Sequence, residues 1–228
     1  MATPSPLGPS RGVNVVHLFC HPEADIDAGA VHKALDDATQ QGLQIVTAAM
    51  LGAKSDVCFM ALGKNLWDIR HFQSKIQAAG FFVAESYVSV TEVSEYAAGM
   101  PEEMLNARLY PTLPPEGMSA FCFYPMSKRR GEVNNWYQLD YEARENFMRG
   151  HGAIGRTFKG RVLQLITGSS GLDDWEWGVT LFGVHIDDLK DCVYTMRFDE
   201  ASAVYAEFGP FYTGLVGTID DVLDAIVA

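Results

Sequence analysis

The chain has 228 residues, 48% of them hydrophobic and 20% charged, the composition of a globular protein with a sizeable buried core. Seventeen Lys and Arg against 29 Asp and Glu leave a formal net charge of −12, which withholds the electrostatic support that binding to phosphate backbones needs. Nucleic acid is thereby excluded as a partner class. No run approaches the ~18 apolar residues that cross a bilayer, and Met1–Gly12 lacks the apolar stretch of an export signal, so the expectation is a cytoplasmic protein with no membrane span.

The opening Met1–Gly12 is too poor in apolar residues to order itself and reads as a flexible tail. Val13–Cys20 is an apolar, β-branched run that reads as a strand, ended by His21-Pro22. Ala28–Gln41 carries a helical stripe (Ala30, Val31, Ala34, Leu35, Ala38) closed by Gly42. Leu43–Leu51 and Val57–Leu62 form a strand pair around the Gly52–Ser55 turn. Asn65 caps a helix through Ala79, Gly80 stops it, and Phe81–Val93 is a further strand. A connection marked by Pro101, Pro111, Pro114 and Pro115 follows.

The same order then returns. Ser119–Tyr124, continuing in alternation to Met126, is a strand, and Asp140 caps a helix to about His151 or a little beyond. Arg161–Thr167 and Glu176–Phe182 pair across a Gly/Ser/Asp turn, a helix spans about Asp187 to Met196, and Pro210–Val216 is the last strand. Two βαββαβ units are two tandem ferredoxin-like halves of the α+β class, the dimeric α+β barrel type. The expected boundaries are 1–12 for the tail, 13–115 for the N-terminal half and 116–228 for the C-terminal half, with one irregular α+β domain as the alternative. Cys20, Cys58, Cys122 and Cys192 lie far apart without CxxC spacing, and read as buried apolar residues of a reducing compartment.

Chemistry concentrates in the second half. Eight of the 17 basic residues fall between Lys128 and Arg161, which suits an anionic ligand, although a solvated helix face is the simpler account of any single one. Phe147, His151, Ile154 and Phe158 are spaced four, three and four, so the imidazole lies on an apolar stripe, among Gly150, Gly152 and Gly155. Such a neutral imidazole can ligate a haem-type iron, or it can be a core histidine at a helix end. Alternation puts Cys122, Tyr124 and Met126 on one strand face and Val162, Gln164 and Ile166 on another. An amide among aliphatics needs a partner or a ligand. GxSxG, P-loop and dinucleotide-binding patterns are missing from the sequence.

Tyr124-Pro-Met-Ser-Lys-Arg-Arg-Gly-Glu, Asn135-Trp-Tyr, Met148-Arg-Gly-His-Gly, Asp173-Asp-Trp-Glu-Trp-Gly-Val-Thr-Leu-Phe and Met196-Arg-Phe-Asp-Glu-Ala-Ser together resemble the coproheme decarboxylases of the chlorite dismutase superfamily. The resemblance runs from about Val13 to the end and is densest from Ala107 to Gly214. It implies a homopentamer in which the C-terminal half holds iron coproporphyrin III (coproheme), both substrate and cofactor. Hydrogen peroxide would drive loss of two propionate carboxylates to give haem b, the last step of coproporphyrin-dependent haem synthesis, and a coproporphyrin ferrochelatase would be the transient donor. Carried over by position, His151 is implied as the iron ligand, Tyr124 as the redox tyrosine and Gln164 as the residue facing the open iron position. Met126 is implied beside the porphyrin, Lys128, Arg108 and Ser202 at propionates, and Trp136 and Trp175 in the pocket. A haem-dependent peroxidase, a chlorite dismutase-like catalyst and a non-catalytic haem carrier are the other readings. Gln164 counts against the first two, since its amide is not an acid–base group near neutral pH and chlorite dismutases have an arginine there.

Overall fold

A computed structural model describes residues 5–97 and 99–227. The first half runs β1 (Asn14–Pro22), α1 (Ala28–Gln40), β2 (Gln44–Leu51), β3 (Val57–Gly63), α2 (Leu66–Ala78) and β4 (Phe81–Thr91). The connection contains α3 (Glu102–Leu109), a helix that the proline-marked sequence did not announce. The second half runs β5 (Ala120–Lys128), a 3-10 turn (Trp136–Gln138), α4 (Tyr141–Arg156), β6 (Val162–Gly168), β7 (Trp177–Gly183) and α5 (Ile186–Met196). It ends with α6 (Glu200–Ala203), β8 (Ala206–Phe208), β9 (Tyr212–Val216) and α7 (Ile219–Val227).

The caps explain where the helices begin. Asn65 accepts from Trp67 N and Asp140 from Ala143 N, each satisfying a backbone donor that the first turn leaves free. Of the opening segment, residues 1–4 lie outside the described residues. Leu7 is fastened to α2, its N–H donating to Asn65 Oδ1 at 3.1 Å and its carbonyl accepting from Leu66 N at 2.8 Å.

All strand pairings are antiparallel, in the order β7-β6-β4-β1-β3-β2-β9-β5-β8, and β5 also pairs with β7. That last pairing closes the sheet into a barrel. Each half contributes four strands in the ferredoxin-like order, and the halves meet at two seams: β4 with β6 (Thr91 opposite Thr167) and β2 with β9 (Ala49 opposite Leu215). Alternation then sorts side chains. Val15, Phe19, Phe121, Phe123 and Phe182 fill the interior, Val16, Leu18 and Cys20 face α1 and α2, and Ala120, Cys122 and Tyr124 face the helices of the second half. Helix α7 returns across the molecule to seal the first half with Val222 and Leu223.

One polar group inside the barrel depends on its surroundings. His17 is fully buried and its ring lies tilted against Phe123 (ring centroids 4.3 Å); Nε2 pairs with Thr180 Oγ1 at 3.0 Å and Nδ1 has no partner among the described residues. Burial holds the imidazole at about 3, below the ordinary 6.5. Below pH 6.5 the unfolded chain takes up a proton that the fold refuses, so stability is lost as pH falls toward 3, by about 1.4 kcal/mol per unit. We expect urea-denaturation midpoints between pH 7 and 4 to fall less steeply for His17→Gln than for the wild type. Parallel curves would show that His17 does not contribute to acid sensitivity.

Candidate functional site

The candidate site lies on the outer face of the second sheet, beneath α4 and α6. Helix α5 covers part of that face with Leu189 and Cys192, against Val179 and Leu181 of β7. Helix α4 behaves differently. It is amphipathic, with Phe147, His151 and Ile154 on one side, yet none of its residues is buried, and it packs chiefly against α5 and α6. An apolar helix face left half-covered above an apolar strand face is how a ligand slot is built.

His151 hangs from this helix. Its Nδ1 is 3.0 Å from Asp199 Oδ2, and Ser202 Oγ is 3.5 Å from the same nitrogen. Asp199 is itself the N-cap of α6, its Oδ1 accepting from Ser202 N at 3.1 Å. One carboxylate therefore starts a helix and fixes an imidazole. Burial alone would raise the Asp199 carboxyl, but the bonds from His151 and Ser202 outweigh it and leave the group below its ordinary value. An ionised Asp199 makes Nδ1 the protonated nitrogen, so Nε2 presents a lone pair with no hydrogen-bond partner among the described residues.

Across the slot stand the sheet residues. Tyr124 is 7% exposed, with its ring 4.5 Å from Phe211 and 5.8 Å from Phe208; burial pushes its phenol above the ordinary value, so it stays neutral. Met126 follows on the same face, half-buried, in register with Trp177 and Phe208. Gln164 on β6 approaches α4 at Gly155, where an added Cβ would lie 3.4 Å from its Nε2. Beside these groups opens a cleft of about 590 Å³ lined by Arg129, Arg197, Ser202, Ala203, Ala206, Phe208 and Phe211. The Arg197 guanidinium lies 4.3 Å from the centroid of Phe208.

Three of the expected residues are placed elsewhere or otherwise. Lys128 is buried, its Nζ donating to Ala201 O at 2.8 Å and resting 4.2 Å over Trp136, and it is not among the residues that line the cleft. Trp175, which lies before β7 and outside its ladder, packs with the barrel-interior cluster and on Gly209, while Trp177 stands opposite Met126 at the start of β7. Arg108 is exposed on α3 and does not line the cleft. Trp136 does join the site, tying Phe147 of α4 to Tyr205 (centroids 6.2 and 5.5 Å). Sequence reasoning missed Asp199 and Arg197. The signal for Asp199 was present, since an Asp three residues before Ser202 is a capping pattern.

Comparison with known proteins gives the following. The family model described as chlorite dismutase matches residues 26–217. A coproheme decarboxylase of Staphylococcus saprophyticus is 43% identical over 183 residues, 76% of this chain and 73% of that protein. Among solved structures, a haem-binding protein from Thermus thermophilus superposes with a TM-score of 0.84 at 32% identity, over 95% of each chain. A variant of chlorite dismutase from Candidatus Nitrospira defluvii gives 0.77 at 19% identity, over 96% of this chain and 97% of that one, a likeness of fold.

The placement of Lys128 has a measurable cost. Burial lowers its pKa from 10.5 to about 8, with Asp199 and Glu176 opposing. Between pH 8 and 10.5 the unfolded chain keeps a proton that the folded chain has released, so the wild type gains stability as pH rises through that window. Lys128→Met keeps most of the volume and removes the buried charge. We expect it to be more stable than the wild type by about 1 kcal/mol at pH 7, with no gain between pH 8 and 10.5. Urea denaturation at pH 7 and 9.5 measures both, and a destabilised variant with an unchanged pH dependence would refute this account of the lysine.

Proposed function

The chain belongs to the chlorite dismutase family, and from that premise we propose that it removes two propionate carboxylates from iron coproporphyrin III, with hydrogen peroxide as oxidant, and releases haem b. The observation that carries this reading is the half-covered α4, whose His151 offers an unpartnered Nε2 to a slot floored by Tyr124, Met126 and Gln164. The donor set suits an iron porphyrin rather than a bare ion, since among the described residues no three or more His, Cys, Asp or Glu side chains converge. When bound, the iron porphyrin supplies the peroxide-driven two-electron oxidation that each decarboxylation needs.

The side chains divide the remaining work. His151, oriented by Asp199, is the iron ligand, and the arginines of the cleft neutralise carboxylates of the porphyrin. Ser202 adds a hydroxyl to the cleft wall, and Trp136 braces α4 at Phe147. Tyr124 keeps its proton because it is buried, so it can yield a hydrogen atom and recover one from the propionate β-carbon. Per carboxylate, one peroxide and one proton are consumed, and one carbon dioxide and two waters leave with the new vinyl group. Gln164 can donate or accept a hydrogen bond on the peroxide side but cannot take up its proton near pH 7, which favours slow, guided chemistry over general peroxidation.

The porphyrin-holding unit in this reading is the C-terminal half, 116–228, joined to the 13–115 half through the barrel. The resemblance also favours a homopentamer in the cytoplasm that receives its substrate from a coproporphyrin ferrochelatase. Among the described residues no helix is long and apolar enough to cross a membrane.

Tyr124→Phe tests the chemistry, because it removes one hydroxyl and keeps the ring packed on Phe211. We expect near-native absorption spectra with iron coproporphyrin, continued reaction with peroxide, and little or no haem b by mass analysis of the porphyrin. His151→Ala should lower porphyrin affinity and change the iron spin state while the barrel still folds. Full conversion to haem b by Tyr124→Phe would sink the proposed hydrogen-atom role, and an unaltered Soret band in His151→Ala would sink the ligand assignment.

A further inference from the structure

Arg129 stands apart from the other cations of the C-terminal half. Its backbone is pinned on both sides, the N–H donating to Tyr205 O at 2.7 Å and the carbonyl accepting from Trp136 N at 2.9 Å. The side chain therefore leaves the end of β5 from a fixed point and lines the cleft together with Arg197 and Ser202. Lys128 is already bonded to Ala201, and Arg161 is paired with Asp188. Arg129 holds only a loose ion pair, Nε to Glu207 Oε1 at 3.6 Å, with side-chain exposures of 40% and 54%. Glu207 sits directly across the ladder from Ser127, on the three-residue strand β8 whose other two residues, Ala206 and Phe208, line the same cleft as Arg129.

We propose that Arg129 and Glu207 form an exchangeable pair that selects the tetracarboxylate substrate over the dicarboxylate product. This rests on the coproheme reading above and deepens it. A propionate entering the cleft beside Arg129 displaces Glu207 and takes the guanidinium. Once the carboxylate of that propionate has left as carbon dioxide and its two remaining carbons are the vinyl group, Glu207 closes again on Arg129. The protein's own carboxylate thus replaces the one the reaction removes, so the vinyl product leaves no unpaired cation behind and is not retained by charge. The pair is suited to this exchange because it is long and wet, so breaking it costs little, whereas a carboxylate seated in the partly enclosed cleft gains a shorter, charge-assisted bond.

The test is a Soret titration of the wild-type apoprotein and two variants with iron coproporphyrin III and with haem b, at low and at physiological salt. Arg129→Gln is expected to weaken iron coproporphyrin about tenfold, equivalent to about 1.4 kcal/mol, with haem b changed less than about twofold. Glu207→Gln, which removes the competitor and leaves the cation, is expected to tighten iron coproporphyrin and to leave haem b unchanged. The wild-type preference for the tetracarboxylate should fall with added salt, and more steeply than in Arg129→Gln. Equal loss of both porphyrins in Arg129→Gln, or weaker substrate binding in Glu207→Gln, overturns the exchange. Failure of the wild type to bind either porphyrin overturns the coproheme reading itself, a result separable from both.

Discussion

The outward face of each sheet has to be covered, and the two halves of the barrel meet that demand differently. In the first half, α1 and α2 press Val31, Phe72 and Ile76 onto Phe59 and Phe81, and α7 comes from the far end of the chain to finish the seal. Burying a side chain of this size is worth about 2–3 kcal/mol, so this half is the stable frame. In the second half, α5 does its share, but α4 buries nothing. The topology repeats while the packing does not. The slot, the orientation of His151 and the cleft beside it all follow from that one difference.

The walls of the slot differ in electrical character. On the helix side, Asp199 couples His151 to the start of α6, and Arg129 and Arg197 line the cleft beside Ser202. On the sheet side, the groups facing the slot are a neutral phenol, a thioether and an amide. Charge is therefore available where a ligand is to be held and absent where an oxidant would react. A titratable base beside Gln164 would speed cleavage of peroxide in general. Its absence among the described neighbours suits the proposed reaction, in which the carboxylates of the bound porphyrin, rather than an outside reductant, would supply the electrons.

Much of this was legible in the sequence because it is local. Asn65 and Asp140 act as the caps their spacing implies, and period-two alternation placed Cys122, Tyr124 and Met126 on one face of β5. The stripe through Phe147, His151 and Ile154 likewise identified the side of α4 that matters. What could not be read is set by long-range packing. The β4–β6 and β2–β9 seams join segments whose patterns carry no register information, and α7 has its apolar face toward a half that ended about 100 residues earlier. Lys128 shows the same limit at one residue. Its charge put it in the cation cluster, but its neighbours Ala201 O and Trp136, which the fold brings to the ammonium from other segments, could not be read from the sequence.

Overall charge sets the remaining constraint. A chain of net charge −12 repels a tetracarboxylate at long range, so affinity must come from cations within contact distance. At physiological ionic strength, screening over about 8 Å removes most of the repulsion from the distant acidic surface and little of the attraction inside a partly enclosed cleft. Arg129 and Arg197 line the cleft at that short range, and Arg197 is further held by stacking on Phe208. The same imbalance assists departure. In the proposed reaction two of the four carboxylates become vinyl groups, so the short-range attraction would lose half of its partners while the acidic background persists, and product release would be favoured by charges that never touch it.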